Sequence, residues 1–217
     1  MPRARQRASV QARRASRGQA SDTAPRSPLR DAPKKLAAGR GLRAPFKHPV
    51  RILFLDVDGT LTDGIIGFTS VGDSRHFWVR DGLALEWARD LGVLPVAISG
   101  RDSEAVAARM RDLKLEHYLG IKDKVAVAER VLKREGARWD ECVMVGDDLP
   151  DVPMLKRVGW PIAVADAAPE VLRFAKSVTR ARAGFGAVRE AAEAVLKHNG
   201  QWQRVLEKYE AASGAGR

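Results

Sequence analysis

From residue 51 onward the chain alternates short, unbroken apolar runs with stretches of helical periodicity. The runs are RILFLDV, VLPVAIS, CVMVGDD and PIAVA. A strand with one wet face alternates apolar and polar residues. A run without alternation belongs to a strand covered on both faces. Such strands are typical of parallel sheets, whose crossover helices lie over the faces. The expected fold class is therefore α/β, with a doubly wound, mostly parallel sheet.

The segments between the runs fill in the pattern. IIGFTSVGDSRHFWV reads as a β-hairpin turning at Val71-Gly72-Asp73. Asp81 is placed to cap a helix reaching Leu91, with Leu83, Trp87, Ala88 and Leu91 on one face. Further helices are expected over 102–113, 123–135, 150–158, 168–174, 185–198 and 201–210. Short strands are expected at 117–119 and at Ser177-Val178-Thr179. No internal repeat is visible.

Ligands of open α/β sheets bind beyond the carboxyl ends of the strands. Asp56 and Asp58 follow the first strand. Ser99, Gly100 and Arg101 follow VLPVAI, and Lys124 opens the helix after the next strand. Gly146, Asp147 and Asp148 follow CVMV. The polar clusters thus fall on one rim of the sheet.

DVDGTLTDG alone admits other readings. An EF-hand calcium loop wants glycine at its sixth position and glutamate at its twelfth. Counted from Asp56, those positions hold Leu61 and Gly67, so that reading fails. A polar turn at a strand end remains. Taken singly, Ser99 reads as a helix cap and Lys124 as a solvated lysine with Lys122 as a neighbour. Asp147, Asp148 and Asp151 read as caps for the helix starting near Pro150, and Asp63 as a turn residue.

As an ordered set, DxDGT, ISGR, a lysine and GDD resemble the haloacid dehalogenase superfamily of phosphohydrolases. The resemblance implies a Rossmann-like core of that superfamily, Asp56 as nucleophile and Asp58 as general acid/base. It also implies Mg2+ held by Asp56, Asp147 and the backbone carbonyl of Asp58. A carboxylate attacks an anionic phosphate monoester only when nearby cations offset their repulsion. Lys124 and Ser99 would stabilise the phosphoryl group, and Gly59 and Thr60 permit the turn around it. Asp148 and Asp151 would orient Asp147 and Lys124.

About 40 residues separate Asp58 from Ser99 and about 25 separate Ser99 from Lys124. The expected elements use them up, so no cap domain is expected over the site. DVDGTLTDG, FWVRDG, ISGR, GDDLPDVP, AVADAAP and GAVRE resemble the capless 3-deoxy-D-manno-octulosonate 8-phosphate phosphatase family. That resemblance implies a sugar-acid phosphate substrate and a homotetramer in which the hairpin Gly64–Val79 forms a flap over a neighbour's site. Arg80 and Arg101 would join Asp56, Gly59, Thr60, Ser99, Gly100 and Lys124 in binding substrate, a guanidinium suiting the sugar-acid carboxylate. The family often reads GGRGAVRE near its C-terminus, where this chain reads AGFGAVRE with Phe185 at the arginine's place. Arg180 and Arg182 are candidates to substitute. A nine-carbon sialic-acid-type phosphate and a phenylphosphate carboxylase delta-type subunit role stay open as alternatives.

The net charge of +11 invites a nucleic-acid reading, but its distribution argues otherwise. Residues 1–47 hold 13 Lys+Arg against Asp22 and Asp31, leaving 25 basic and 25 acidic residues beyond them. That segment is rich in Ala, Arg, Ser and Pro and is expected to be a disordered tail. A polyanion tether through it is the non-enzymatic alternative. The phosphohydrolase domain is expected over 48–200, followed by a C-terminal helix and tail. No apolar run approaches a membrane span. The single Cys142, inside an apolar run, fits a buried thiol in a reducing cytoplasm.

Overall fold

The computed structural model describes residues 42–70 and 72–214. Most of the expected basic tail therefore lies outside the described residues. Packing reaches upstream of residue 48, since Leu42, Ala44 and Phe46 lie against the core. Phe46 also stacks on His48 with ring centroids 4.1 Å apart.

Six strands form one sheet: β1 (Ile52–Leu55), β4 (Leu94–Ile98), β5 (Glu116–Tyr118), β6 (Cys142–Gly146), β7 (Trp160–Ala163) and β8 (Ser177–Val178). Their order is β5-β4-β1-β6-β7-β8. Every pairing in this sheet is parallel, in keeping with the expected doubly wound, mostly parallel α/β fold. All four residues of β1 are 0 % exposed, as its unbroken apolar run requires. The chain winds from β1 outward to β5, then returns to the other side of β1. That reversal puts the crevice between the carboxyl ends of β1 and β6, where Asp56 and Asp147 stand.

The helices are α1 (Val79–Asp90), α2 (Glu104–Asp112), α3 (Lys124–Glu135), α4 (Val152–Leu155), α5 (Pro169–Leu172), α6 (Ala187–His198) and α7 (Trp202–Gly214). Between Asp58 and Ser99 lie only the hairpin, α1 and β4. Between Ser99 and Lys124 lie α2 and β5. Neither interval holds a cap. The helix expected over 150–158 shrinks to α4 behind a tight turn at Leu149–Asp151, where Pro150 and Pro153 remove backbone donors. Helix α7 packs into the domain: Val205 is buried, and the Trp87 indole donates to the Tyr209 hydroxyl at 2.8 Å.

The hairpin consists of β2 (Gly67–Thr69) and β3 (Gly72–Ser74), with Thr69 opposite Gly72. Gly72 and Asp73 are thus strand residues and not the turn. The Thr69 hydroxyl donates to the Gly72 carbonyl at 2.8 Å and closes the connection one step earlier. Val71 is outside the described residues.

Asp81 does not cap its own helix. The N-cap of α1 is Trp78, without a side-chain bond, and Asp81 lies in the first turn. Its carboxylate crosses to α6 and accepts from the Arg189 N–H at 2.6 Å, so it caps the neighbouring helix. This joins α1 to α6 through a side chain that is 0 % exposed. Burial pushes the Asp81 carboxyl up to about 6, partly offset by the backbone of Arg189 and Gly186. A raised carboxyl binds its proton more tightly in the fold than in the unfolded chain. The stability it contributes is complete below its ordinary value near ~4 and is lost as pH rises through the folded value. Asp81→Asn keeps a capping oxygen and removes the titration. Urea midpoints should show the variant gaining on wild type by up to ~3 kcal/mol as pH rises from ~4 to ~7.5. A constant difference across that range would mean Asp81 does not titrate there.

Candidate active site

The site is assembled from four strand ends. β1 stops at Leu55, and the next backbone N–H, of Asp56, still bonds the Val145 carbonyl at 3.0 Å. The nucleophile candidate is thereby fixed at the end of a fully buried central strand. The chain then turns sharply through Val57–Leu61. Gly59 adopts φ +95°, and a Cβ there would overlap the Asp147 carboxylate. Only glycine meets both conditions. The Thr60 hydroxyl donates to Asp147 Oδ1 at 3.0 Å, tying the β1 loop to the β6 loop. Behind this loop sits Gly184, at φ +66°, whose N–H bonds the Thr60 carbonyl at 3.2 Å. A Cβ at Gly184 would press on the Thr62–Asp63 backbone, which accounts for glycine beside Phe185.

Lys124, the first residue of α3, follows the N-cap Asp123, which accepts from Ala126 N–H at 3.1 Å. Its ammonium lies between two carboxylates: it contacts Asp56 Oδ1 and donates to Asp151 Oδ1 at 2.7 Å. The Lys124 side chain is 5 % exposed. Lys122 is exposed, so burial separates the two lysines that sequence alone left in competition. The other Asp151 oxygen accepts from the Asp147 N–H at 3.1 Å. Asp151 therefore orients both Lys124 and Asp147. Asp148 does not share that role; it caps the following turn, accepting from Leu149 N–H at 2.7 Å. Asp63 accepts from Ile65 N–H at 3.0 Å, as a turn residue should.

The electrostatics of this cluster are unbalanced. Carboxylate oxygens of Asp56, Asp147 and Asp151 lie within 4.8 Å of one another. One ammonium faces three carboxylates. Burial and then Asp151 push the Asp56 carboxyl well up, against the pull of Lys124. Burial and Asp151 push Asp147 up to about 6. Burial opposes the Lys124 charge, but Asp56 and Asp151 outweigh it and hold the ammonium above its ordinary value. A hard divalent cation fits such a set: it prefers carboxylate oxygens and would cancel the excess negative charge.

A cavity of about 420 Å³ opens over this cluster. Asp56, Asp58, Gly59, Ser99, Gly100, Arg101, Lys124 and Asp147 all line it. The buried Ser99 Oγ accepts from the Arg101 N–H at 3.1 Å and stands 3.4 Å from Asp58 Oδ2. Arg80 does not join them. It lines a separate hollow with Trp87 and Arg189, on the α1–α6 side. Neither substitute for the missing arginine is unengaged: Arg182 pairs with Asp166 at 3.1 Å and Arg180 with Glu190 at 3.5 Å. Phe185 is 53 % exposed and packs near Trp78, ring centroids 5.8 Å apart.

One group escaped the sequence reading. Arg75, on the outgoing arm of the hairpin, donates from Nε to Asp58 Oδ1 at 2.5 Å. Its local sequence is an ordinary strand end; only the fold of the hairpin brings it to Asp58.

A parallel sheet bearing a carboxylate pair after β1, a serine after β4, a buried lysine and an acidic loop after β6 defines a haloacid dehalogenase-like hydrolase. A family model of haloacid dehalogenase-like hydrolases matches residues 114–191. The 3-deoxy-D-manno-octulosonate 8-phosphate phosphatase of Escherichia coli K12 is 36% identical over 154 residues, 70% of this chain and 82% of that protein. Among solved structures, the 3-deoxy-D-manno-octulosonate 8-phosphate phosphatase of Moraxella catarrhalis, in complex with magnesium, phosphate and KDO, superposes with TM-score 0.71 and 30% identity. It covers 74% of this chain and 93% of that one. A probable YrbI-family phosphatase of Pseudomonas syringae does so with TM-score 0.71 and 36% identity, covering 74% of this chain and 92% of that one. The chain belongs to the 3-deoxy-D-manno-octulosonate 8-phosphate phosphatase family.

Proposed function

We propose that this chain is a magnesium-dependent phosphatase that hydrolyses 3-deoxy-D-manno-octulosonate 8-phosphate through an aspartyl-phosphate. The observation that carries the reading is the convergence of Asp56, Asp147 and Asp151 on one open cavity with the buried Lys124. Asp56 attacks phosphorus with its carboxylate while Asp58 protonates the departing sugar oxygen. Asp58 then takes a proton from the water that attacks the aspartyl-phosphate, releasing phosphate and restoring Asp56. Lys124 and Ser99 stabilise the phosphoryl oxygens, and Arg101, exposed at the cavity edge, is placed to meet the sugar-acid carboxylate. Asp56, Asp147 and the Asp58 carbonyl would hold magnesium, which when bound would supply neutralisation of the negative charge in the site.

The reading extends to a homotetramer in the cytoplasm. Support for the assembly comes from the hairpin, whose Ile65 and Phe68 are 65 % and 83 % exposed. Arg80, outside its own chain's cavity, would then act toward a neighbour. No helix among the described residues is long and apolar enough to cross a membrane.

The test is a phosphate-release screen on the purified full chain over eight-carbon and nine-carbon sugar-acid phosphates, with sedimentation velocity on the same sample. Phosphate should appear from the octulosonate phosphate with magnesium, fall to background with a chelator, and return when magnesium is restored. Turnover untouched by the chelator would remove the metal from the reading. Preference for a nine-carbon phosphate would move the substrate, and a monomer turning over at full rate would remove the assembly.

A further inference from the structure

The Arg75 side chain is 1 % exposed, although it sits on a short surface hairpin. Its Nε donates to Asp58 Oδ1 at 2.5 Å and its Nη1 to Asp73 Oδ2 at 2.5 Å. The second oxygen of Asp73 accepts from the Ser103 hydroxyl at 3.1 Å. Ser103 is the N-cap of α2, its Oγ also accepting from Val106 N–H at 3.3 Å. The opposite face of the Asp58 carboxylate meets Ser99 Oγ at 3.4 Å. An unbroken chain of polar contacts thus runs from α2 through both hairpin residues to the carboxylate that moves the proton.

We propose that Arg75 is a positioning residue for Asp58, and that Asp73 and Ser103 hold it in place. The inference rests on the phosphatase reading above. A buried guanidinium attracts a carboxylate partner because an unpaired charge there is costly. The fork geometry of the group fixes direction as well as distance. With one oxygen on Arg75 and the other beside Ser99, Asp58 is limited to one rotamer. Proton transfer demands that placement, since a general acid must lie within hydrogen-bond reach of the leaving oxygen. The hairpin is then a working part of its own chain's site, because it carries both Asp73 and Arg75.

A purely structural latch would also bury Arg75, so the test must separate the two roles. Steady-state kinetics are measured with magnesium on the full chain, using the octulosonate phosphate and p-nitrophenyl phosphate. The second substrate has a readily ionised leaving group, which keeps an Asp58→Asn background measurable. Arg75→Met should lower kcat by ~10- to 100-fold with KM changed less than ~3-fold, and Arg75→Lys should recover part of the loss. Asp73→Asn should fall between wild type and Arg75→Met. In the Asp58→Asn background, Arg75→Met should lower kcat by less than ~3-fold further, because the group it positions is gone. Equal losses in both backgrounds would overturn the proposal, as would a raised KM with kcat retained. Full activity of Arg75→Met, with wild type turning over, overturns the role of Arg75 alone. Failure of wild type on every phosphate overturns the phosphatase reading and this inference with it.

Discussion

Asp56→Asn protein should release phosphate at least ~10³-fold more slowly than wild type, at every substrate concentration. The amide nearly matches the carboxylate in shape but cannot attack phosphorus or carry the phosphoryl group. It also removes one of the anions that must neighbour a divalent ion. The same change should leave the fold intact. Asp56 is 7 % exposed, and burial together with Asp151 already penalises its charge. A neutral side chain relieves that penalty, so the melting temperature should hold or rise in metal-free buffer. Activity and stability therefore move independently, and a dead variant cannot be ascribed to misfolding. Retention of more than about a tenth of wild-type kcat would exclude Asp56 as the nucleophile.

Lys124→Met should have the second-largest effect, and here both properties fall. Methionine keeps much of the stem volume and removes the ammonium that bridges Asp56 and Asp151. Breaking a buried ion pair from one side typically destabilises by about 3–5 kcal/mol, because the remaining charges lose their partner. Here the orphans are a closely spaced carboxylate set. The loss in urea-unfolding free energy should shrink when magnesium is present, since a bound cation replaces part of the missing charge. Phosphate release should fall by ~10²- to 10⁴-fold through loss of phosphoryl charge stabilisation. An unfolding midpoint equal to wild type with and without magnesium would show that Lys124 does not balance the cluster. The contrast is diagnostic: removing a carboxylate relaxes the site, and removing its lysine strains it.

Much of the fold was legible because the α/β pattern is written locally. Unbroken apolar runs at Ile52–Leu55, Leu94–Ile98 and Cys142–Gly146 became central strands with their ends on one rim. The helices at Glu104–Asp112 and Lys124–Glu135 began where Ser103 and Asp123 could cap them. Legibility failed where a side chain leaves its own element. Asp81 has the right residue type and place to cap α1, yet it caps α6, because a helix N-terminus from far along the chain packs beside it. The hairpin turn moved because the Thr69–Gly72 bond closes it, a choice between registers that differ little in local propensity.

The same division holds at the site. Residue type and spacing place Asp56, Asp58, Ser99 and Asp147 on one rim, with Lys124 beside its competitor Lys122, because a parallel sheet delivers successive strand ends to one edge. The tertiary structure alone decides what each of them touches. It buries Lys124 and leaves Lys122 in water, turns Asp151 onto both Lys124 and Asp147, and keeps Arg80 away from its own chain's cavity. It also brings Arg75 to Asp58 across 17 positions of sequence. Periodicity records which face of an element is buried. The pairing of buried charges depends on distances between elements that are remote in sequence, and those distances exist only once the chain has folded.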